Sequence, residues 1–561
     1  MPGVMSVVKS KVMLKRDELQ IFMAVAACRT ARAMLRRMHT GGTSLPGKLA
    51  GWFRKDILAI TSKGVETILV TGTNGKTTTA GMLAYAMEKA GRQPLCNRSG
   101  ANLLSGVTAE FAAAADLRGR PLGGRALQDR QKRGQKTPGL PTDREAGLSA
   151  SLASAAILDF PAARDSGLYA VIECDEGALR HVTPLLHPRV IVVTNLFRDQ
   201  LDRYGEVMHT LEAVREGIRL APDAVLCLNA DDSLTASLAL DVPNSVVWFG
   251  IEETAAQGTH PISSAGKKES PTGNRAGQGK LDTEKAKYSE KTDSPERISD
   301  ARYCIRCGAE YTYRYHTYAH LGDFRCPACG YARPLPDVAV TSVDGIDACG
   351  SRVHMRIPGK ETSHPSPREI PVRLALPAVY NIYNAAAAIS AYAAAELPLQ
   401  EILEGLAHVQ SSFGRMEHFT IRGVSIQMIL VKNPAGCNQA LDYLYAIKEP
   451  CTIVLCLNDL DADGHDISWI WDVDYEKLCG CRNIRRIFVW GKRAEDLQLR
   501  LKYAGFPEKR IRRVPEKELN RLLDEIYRSE EPVFILPNYT TMLPLRDALR
   551  RAAGKDSFWK G

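Results

Sequence analysis

Short apolar runs rich in β-branched residues alternate along the chain with longer segments whose apolar residues recur at helical spacing. Strands that alternate with helices are typical of a parallel sheet covered by helices, so the pattern predicts an α/β fold. The strand-like runs fall into two sets, which predict two α/β domains joined near residues 408–416. They lie at 67–70, 168–173, 190–195, 224–229 and 245–249, and at 452–457, 486–490 and 533–536.

Two stretches lack periodic apolar positions. Residues 116–146 are rich in Gly, Pro, Arg and Gln, and residues 254–299 are rich in Gly, Ser, Lys and Glu. Such compositions bury too little apolar surface to offset the entropy of ordering the chain. We therefore expect two flexible surface insertions.

The chain has 561 residues, with 73 Lys and Arg against 64 Asp and Glu, a formal net charge of +9. Residues 1–50 hold nine of the basic and two of the acidic residues, so they carry +7 of that charge. The rest is nearly balanced, and no nucleic-acid partner is expected. Residues 17–38 predict a helix with an apolar stripe that packs on the body. Contact of this basic helix with anionic lipid headgroups is the alternative. The stripe consists of Leu19, Phe22, Met23, Val25 and Ala26.

The run Thr-Gly-Thr-Asn-Gly-Lys-Thr-Thr (71–78) follows a predicted strand and precedes a predicted helix over 77–89. Gly72 and Gly75 allow the backbone to approach an anion closely, and Lys76 can reach the terminal phosphates of a nucleotide. The Thr77 hydroxyl is a suitable Mg²⁺ ligand. This pattern predicts an ATP site formed by Gly72, Thr73, Asn74, Gly75, Lys76, Thr77 and Thr78.

This spelling of the loop resembles that of the Mur ligase superfamily, whose members form an acyl-phosphate from a carboxylate and ATP. Further motifs resemble that family in the same order. Glu173 stands where the family has a Mg²⁺-binding glutamate, and a carboxylate suits a hard cation. Asn384 stands at the adenine-side asparagine, so the resemblance implies that it positions the nucleotide. The remaining matches are 194–205, 228–232 and 414–417.

Four of the 14 cysteines are arranged as Cys304-x2-Cys307 and Cys326-x2-Cys329, with eighteen residues between the pairs. This spacing is typical of a zinc ribbon in which four thiolates fill all the positions of a structural Zn²⁺. Disulfides or free thiols are the alternatives. We interpret His316 and His320, between the pairs, as ordinary polar residues, and the intervening tyrosines as the small core of the ribbon.

The ribbon, together with motifs at 41–48, 97–102, 432–438, 463–472 and 536–540, resembles the MurT family. Members are synthetase subunits of lipid II isoglutaminyl synthase and work with a GatD-type glutaminase. The resemblance implies ATP-dependent amidation of the D-glutamate α-carboxylate of lipid II. It also implies that Asp466 completes the Cys–His pair of the partner, ahead of Asp463 and Asp472.

The sequence departs at three places from Mur ligases that add an amino acid, and two alternative functions are weighed against the amidation. Gln200 replaces a metal-binding His, Arg215 replaces a carbamylated Lys, and residues 430–436 lack the usual Asp and His. An amino-acid ligase of the folylpolyglutamate type is the first alternative, and the altered segment and the missing Lys count against it. A zinc-ribbon scaffold with a degenerate ATPase fold is the second, and the intact loop and Glu173 count against it.

The organisation that follows is a basic helical segment over 1–50, a Mur-type ATPase domain over 51–412 that contains a zinc ribbon over 302–333, and a Rossmann-like α/β domain over 413–561. No apolar run reaches the roughly 18 residues that a membrane-spanning helix needs. We expect a cytoplasmic protein at the inner face of the plasma membrane.

Overall fold

The structure of the chain is a computed structural model, and all statements below concern the residues that it describes. These are 2–37, 44–97, 101–122, 167–198, 207–259, 300–347, 350–358, 368–409 and 415–554.

Seventeen strands and sixteen α-helices are present in these ranges. The strands are β1 Glu66–Thr71, β2 Leu95–Cys96, β3 Tyr169–Glu173, β4 Val190–Val193, β5 Val225–Asn229, β6 Val246–Ile251, β7 Thr312–Tyr318, β8 Leu321–Arg325, β9 Val338–Asp347, β10 Gly350–Ile357, β11 Arg368–Leu374, β12 Arg415–Ile421, β13 Val424–Ile429, β14 Cys451–Cys456, β15 Ile484–Trp490, β16 Ile511–Arg513 and β17 Val533–Pro537.

Two short 3₁₀ segments, Ser468–Asp472 and Glu508–Arg510, accompany the helices. The helices are α1 Pro2–Arg37, α2 Leu45–Phe53, α3 Ile57–Thr61, α4 Lys76–Lys89, α5 Leu104–Ala114, α6 Leu179–Leu186, α7 Val207–Arg219, α8 Ser233–Ser237, α9 Glu253–Thr259, α10 Val379–Ala394, α11 Leu399–His408, α12 Pro434–Ala446, α13 Glu476–Cys479, α14 Ala494–Tyr503, α15 Leu519–Tyr527 and α16 Tyr539–Ala552.

The first sheet has nine strands in the order β11-β10-β9-β6-β5-β4-β1-β3-β2. The strands from β9 to β2 pair in parallel, whereas β10 is antiparallel to both β9 and β11. Helices cover both faces: one apolar core includes residues of α4, α10 and α11, and the other includes residues of α5, α6 and α7. Residues Ile68 to Thr71 of β1 are all buried, as expected for a central parallel strand. The α/β prediction is therefore confirmed.

The second sheet has six strands in the order β12-β13-β17-β14-β15-β16. Only the β12–β13 pair is antiparallel. Two further apolar cores lie on its faces, and they are distinct from those of the first sheet. The described residues thus contain two α/β units, and each has its own sheet with an apolar core on both faces.

Strands β7 and β8 form a separate antiparallel hairpin between β6 and β9. Its core contains Tyr311, Phe324 and Tyr331 together with two of the cysteines and Ala236. Tyr318, at the end of β7, belongs instead to the main core of the first sheet. Tyrosines therefore build the core of this hairpin, as the sequence predicts, but Tyr318 joins the hairpin to the body.

The N-terminal helix is longer than expected and packs through a different set of residues. Helix α1 begins at Pro2, and its buried residues Ala24, Val25 and Cys28 pack against α2, α3 and α5. Arg32 also forms a bidentate ion pair with Glu110 on α5. The predicted stripe is wrong at Leu19 and Phe22, which are 56% and 46% exposed. The buried face of α1 consists instead of Ala24, Val25 and Cys28, which lie on one side of a helix with 3.6 residues per turn.

Both expected insertions begin later than the sequence indicates. Residues 116–122 follow α5 in an ordered turn in which Leu122 N donates to Ala114 O. Residues 254–259 belong to α9, where Ala255 and Ala256 are buried. The remaining parts, 123–146 and 260–299, lie outside the described residues.

Candidate functional site

The phosphate loop connects β1 to α4 at the carboxyl end of the first sheet. Gly72 and Gly75 have φ angles of +118° and +89°, in the left-handed region that favours glycine. A Cβ on Gly72 would lie 2.4 Å from Thr194 Oγ1, and one on Gly75 would lie 2.1 Å from Asn384 Oδ1. Both glycines are therefore required by conformation and by space.

Two buried acid contacts hold the start of α4. The Thr77 hydroxyl donates to Glu173 Oε2 at 2.7 Å, and Lys76 Nζ lies 3.0 Å from Glu176 Oε1. Lys76, Glu173 and Glu176 are each 6% exposed. Burial raises the pKa of the Glu176 carboxyl, and the Lys76 charge opposes that rise. The sequence predicts the Thr77–Glu173 pair, whereas the ion pair with Glu176 is a finding of the structure.

The segment from Thr194 to Phe197, after β4, forms a cradle for the phosphate loop. Asn195 Oδ1 accepts from the Asn74 backbone N–H at 2.9 Å. The Thr73 hydroxyl donates to Phe197 O at 3.1 Å and accepts from Phe197 N at 3.0 Å. These bonds fix the loop against the cradle, next to the start of α4, where helix N–H groups can face an anion.

A cleft of about 320 Å³ lies between the phosphate loop and the second sheet. Asn433, the N-cap of α12, donates from Nδ2 to Asn74 Oδ1 at 3.2 Å and so links the two sheets. The half-buried Lys432 also lines this cleft and interacts electrostatically with Glu176. The cleft lies where parallel α/β sheets generally bind ligands, beyond the carboxyl ends of the strands.

Of the predicted nucleotide-site residues, most line this same cleft. Gly72 lies behind it, while Asn384 reaches it from α10 and donates to Asn381 Oδ1 at 3.2 Å. The structure thus brings together groups far apart in sequence. The predicted residues that line the cleft are Thr73, Asn74, Gly75, Lys76, Thr77, Thr78, Glu173 and Asn384.

The four cysteines converge at one end of the β7–β8 hairpin. The Sγ atoms of Cys304, Cys307, Cys326 and Cys329 all lie within 4.8 Å of one another. Thiolates around a tetrahedral zinc, at about 2.3 Å each, are spaced at about 3.8 Å, so this cluster fits such an ion. Gly308 and Gly330 follow the second cysteine of each pair with φ angles of +75° and +74°. The positive angles allow each loop to turn both thiols toward one point.

Asp466 lies after β14, just before the 3₁₀ segment. Its Oδ1 accepts from the Ser468 backbone N–H at 2.8 Å, and the residue is half-buried. Asp463 is buried and accepts from the Thr540 backbone N–H at 2.9 Å, while Asp472 forms an ion pair with Arg198. The two alternatives to Asp466 are thus engaged inside the chain.

Comparisons with known proteins agree with this architecture. A family model described as MurT ligase C-terminal matches residues 430–542. The MurT subunit of the lipid II isoglutaminyl synthase (glutamine-hydrolyzing) of Streptococcus pneumoniae is 29% identical over 95% of this chain and 97% of its own. The expected likeness to MurT is confirmed.

Solved structures show that this MurT-like chain has a Mur ligase-like fold. MurF from Acinetobacter baumannii superposes with a TM-score of 0.55 at 16% identity, over 91% of this chain and 80% of that chain. MurF from Thermotoga maritima, solved in complex with ADP, superposes with a TM-score of 0.50 at 11% identity, over 89% and 84% of the two chains.

The departures from amino-acid-adding Mur ligases have mixed outcomes in this MurT-like chain. Arg215 lies on α7, where its guanidinium pairs with Glu212 at 2.8 Å. Gln200 lies outside the described residues.

His320 is not an ordinary polar residue, because it is 1% exposed and its Nε2 lies 3.2 Å from Asp232 Oδ1. Spacing alone indicates only that four cysteines leave no metal position for it.

Proposed function

We propose that the chain is an ATP-dependent carbon–nitrogen ligase that amidates the α-carboxylate of D-glutamate in the lipid II stem peptide. The product is D-isoglutamine. The observation that carries this proposal is an intact phosphate loop in a chain that is similar to a MurT subunit over 95% of its length. The name of that relative supplies the reaction, and the site supplies the groups for it.

ATP would occupy the loop from Gly72 to Thr78 with its phosphates toward the first turn of α4. Lys76 would exchange its contact with Glu176 for the terminal phosphate and stabilise charge on the transferring group. The Thr77 hydroxyl and the Glu173 carboxylate lie 2.7 Å apart and offer two oxygen ligands for Mg²⁺. Mg²⁺ bound there would neutralise phosphate charge, and Asn384 would position the nucleotide.

The chemistry takes place in two steps. The D-glutamate α-carboxylate attacks the γ-phosphorus, and the bond to the β-phosphate oxygen breaks, which gives an acyl-phosphate and ADP. Ammonia then attacks the acyl carbon, and phosphate leaves. Because the first step forms no covalent bond to the protein, positioning and charge stabilisation supply the catalysis.

Ammonia would come from a GatD-type glutaminase partner. A glutaminase needs an activated thiol, and burial raises the pKa of Cys437 to about 12 and of Cys96 to about 12. Such thiols are poor nucleophiles at neutral pH. Asp466 is half-buried, and in this proposal it orients the histidine of the partner.

The test is to co-purify the chain with its glutaminase partner and follow glutamine-dependent release of ADP in the presence of lipid II. We expect ADP release to require lipid II, glutamine and Mg²⁺ together. ADP release that needs a free amino acid instead of glutamine or ammonium would support the folylpolyglutamate-type alternative. Absence of any ATP turnover would support the scaffold alternative.

The four cysteines would hold a structural Zn²⁺, since four thiolates leave no open position for substrate. Strands β9 to β11, which follow the hairpin, belong to the first sheet. Their place supports the expected organisation, in which 302–333 form a zinc ribbon within an ATPase domain over 51–412. The second sheet is then the Rossmann-like domain over 413–561.

A cytoplasmic location at the inner face of the plasma membrane follows from a lipid-linked substrate. No helix among the described residues has the length and apolarity to cross a bilayer. Beside the basic segment, Leu19 on α1 and Trp52 on α2 are 56% and 78% exposed, and both suit contact with a membrane surface. Trp52→Ser should weaken binding to vesicles that contain anionic lipid, and unchanged binding would contradict the contact.

A further inference from the structure

The β7–β8 hairpin reaches the nucleotide cleft through its tip. Tyr318, the last residue of β7, is 6% exposed and lines the cleft that contains the phosphate loop. Its ring stacks on Phe197 with centroids 5.9 Å apart and meets Tyr383 edge-on at 5.7 Å. The hairpin is thus packed against the residues that hold the loop.

His320 lies in the turn of the hairpin and contacts the same cradle by two routes. Its ring lies 4.7 Å from that of Phe197, whose backbone N–H and C=O both bond to the Thr73 hydroxyl. Its Nε2 lies 3.2 Å from Asp232 Oδ1. The other oxygen, Asp232 Oδ2, accepts from the Leu196 backbone N–H at 2.8 Å. Each route ends within two residues of Asn195, which holds the phosphate loop.

A second buried connection reaches α10 next to Asn384. The Tyr383 hydroxyl lies 2.7 Å from Thr317 Oγ1 of the hairpin and donates to Asp231 Oδ2 at 2.5 Å. Asp231 is fully buried and also accepts from Arg333 Nε at 2.7 Å. Tyr383 precedes Asn384 on α10, and Asn384 lies against Gly75, so this connection also leads to the phosphate loop.

We propose that the β7–β8 hairpin is part of the nucleotide site, in which His320 is a positioning residue that holds the segment from Thr194 to Phe197 against the phosphate loop. This inference rests on the proposed function, because it assigns a role in ATP binding. His320 touches no phosphate itself. It acts through Asp232 and Phe197, and its loss would loosen the backbone from Asn195 to Phe197 that holds Thr73 and Asn74 of the loop.

The geometry predicts an effect on nucleotide affinity rather than on the chemical step. His320→Leu fills the same buried space with an apolar side chain but removes the N–H donor to Asp232. The Asp232 carboxylate, which accepts from Leu196 N–H, is then held less firmly. We expect KM for ATP and Kd for Mg·ATP to rise about fivefold to tenfold, with kcat changed less than about twofold. His320→Gln keeps a terminal N–H donor and should restore most of the affinity.

The matched control is Tyr331→Phe. Tyr331 lies after β8, packs in the small core beside the cysteines, is 8% exposed and donates from its hydroxyl to Ser233 O at 2.9 Å. Tyr331→Phe, like His320→Leu, removes one buried hydrogen bond to the domain of the first sheet. The acceptor of this bond is on α8 and not in the segment from Thr194 to Phe197. We expect a smaller fall in Tm than in His320→Leu, because no buried charge loses its partner, and unchanged affinity for ATP.

The experiment measures Mg·ATP binding to the full chain with its partner, then glutamine-dependent ADP release, for the wild type and the three variants. Thr77→Ala serves as the reference for a damaged phosphate site. If His320→Leu binds ATP like the wild type while Thr77→Ala does not, the positioning role is overturned and the proposed function stands. If the wild-type complex binds no ATP, the proposed function itself fails. Equal losses in His320→Leu and Tyr331→Phe would reduce His320 to a stabilising residue and overturn the inference.

Discussion

The Thr77 hydroxyl donates a hydrogen bond of 2.7 Å to Glu173 across the gap between α4 and the end of β3. The two oxygen atoms that the proposed function assigns to Mg²⁺ thus lie side by side at the start of a helix, next to Lys76. Asn97 fixes Glu173 from the other side, because its side chain bonds to both the backbone N–H and the C=O of that residue. The pair is therefore held in place before any ligand binds.

Thr77→Ala should lower glutamine-dependent ADP release by at least about a hundredfold, because the proposed function makes the Thr77 hydroxyl a ligand of Mg²⁺ at the transferring phosphate. Thr77→Ser retains the hydroxyl and is the matched control, so it should keep most of the activity. Co-purification with the glutaminase partner should be unaffected in both variants. Full activity in Thr77→Ala would contradict the ATP-site assignment.

Asp466→Asn should reduce glutamine-driven amidation by about a hundredfold or more, because an amide no longer stabilises a neighbouring imidazolium. Free ammonium should restore part of the amidation, since the ATP site on the other sheet is unchanged. Asp463→Asn is a useful comparison because Asp463 is buried against Thr540. If glutamine hydrolysis in the Asp466→Asn complex matched that of the wild type, the role in the partner's site would be wrong.

If the four cysteines hold the proposed Zn²⁺, Cys326→Ser should remove it and lower Tm by about 5–10 °C, because the metal would close a hairpin whose own core is small. Cys481→Ser is the control, since Cys481 is half-buried outside the cluster. It should leave the zinc content unchanged. Metal analysis and thermal unfolding of both variants check this, and full zinc content in Cys326→Ser would rule out the four-thiolate site.

The sequence predicts the phosphate loop well because its chemistry is local: two glycines, a lysine and a threonine follow one strand. It also predicts the alternation of strands and helices, although it misses the antiparallel extension β10–β11 and the hairpin β12–β13. These strands alternate apolar and polar positions, as Val353, Met355 and Ile357 do with Arg352 and Arg356 on β10. They lack the continuous apolar runs by which the buried parallel strands are recognised.

Contacts between distant segments could not be predicted in the same way. The bond between Asn433 and Asn74 joins two sheets, and no local pattern records which side chains meet across a cleft. The burial of His320 has the same origin: its surroundings come from Asp232 and Phe197, which precede it by 88 and 123 positions. Glu176 is intermediate, because its place three residues after Glu173 offers a signal that another acid faces the loop.

Stability should depend on pH through the buried pair of His320 and Asp232. Burial acts against the charge on His320, but the hydrogen bond and charge of Asp232, with a contribution from Asp300, outweigh it and raise the His320 pKa. Burial likewise acts against the charge on Asp232, yet the bond from His320 lowers the Asp232 pKa. A raised histidine pKa gives stability that is complete below the unfolded value of about 6.5 and is lost as pH rises through the folded value. A lowered aspartate pKa gives stability that is lost only as pH falls below about 4.

We therefore expect the Tm advantage of the wild type over His320→Gln to be largest near pH 6 and to shrink toward pH 9. Glutamine keeps a donor to Asp232 but carries no charge, so the difference isolates the titrating group. Thermal unfolding of the full chain at both pH values measures it. The Tm difference between wild type and Tyr331→Phe should not change with pH, because the Tyr331 hydroxyl bonds to the Ser233 carbonyl oxygen, which does not titrate. An advantage over His320→Gln that stays constant from pH 6 to pH 9 would show that the histidine is neutral throughout and that its hydrogen bond, rather than its charge, stabilises the hairpin.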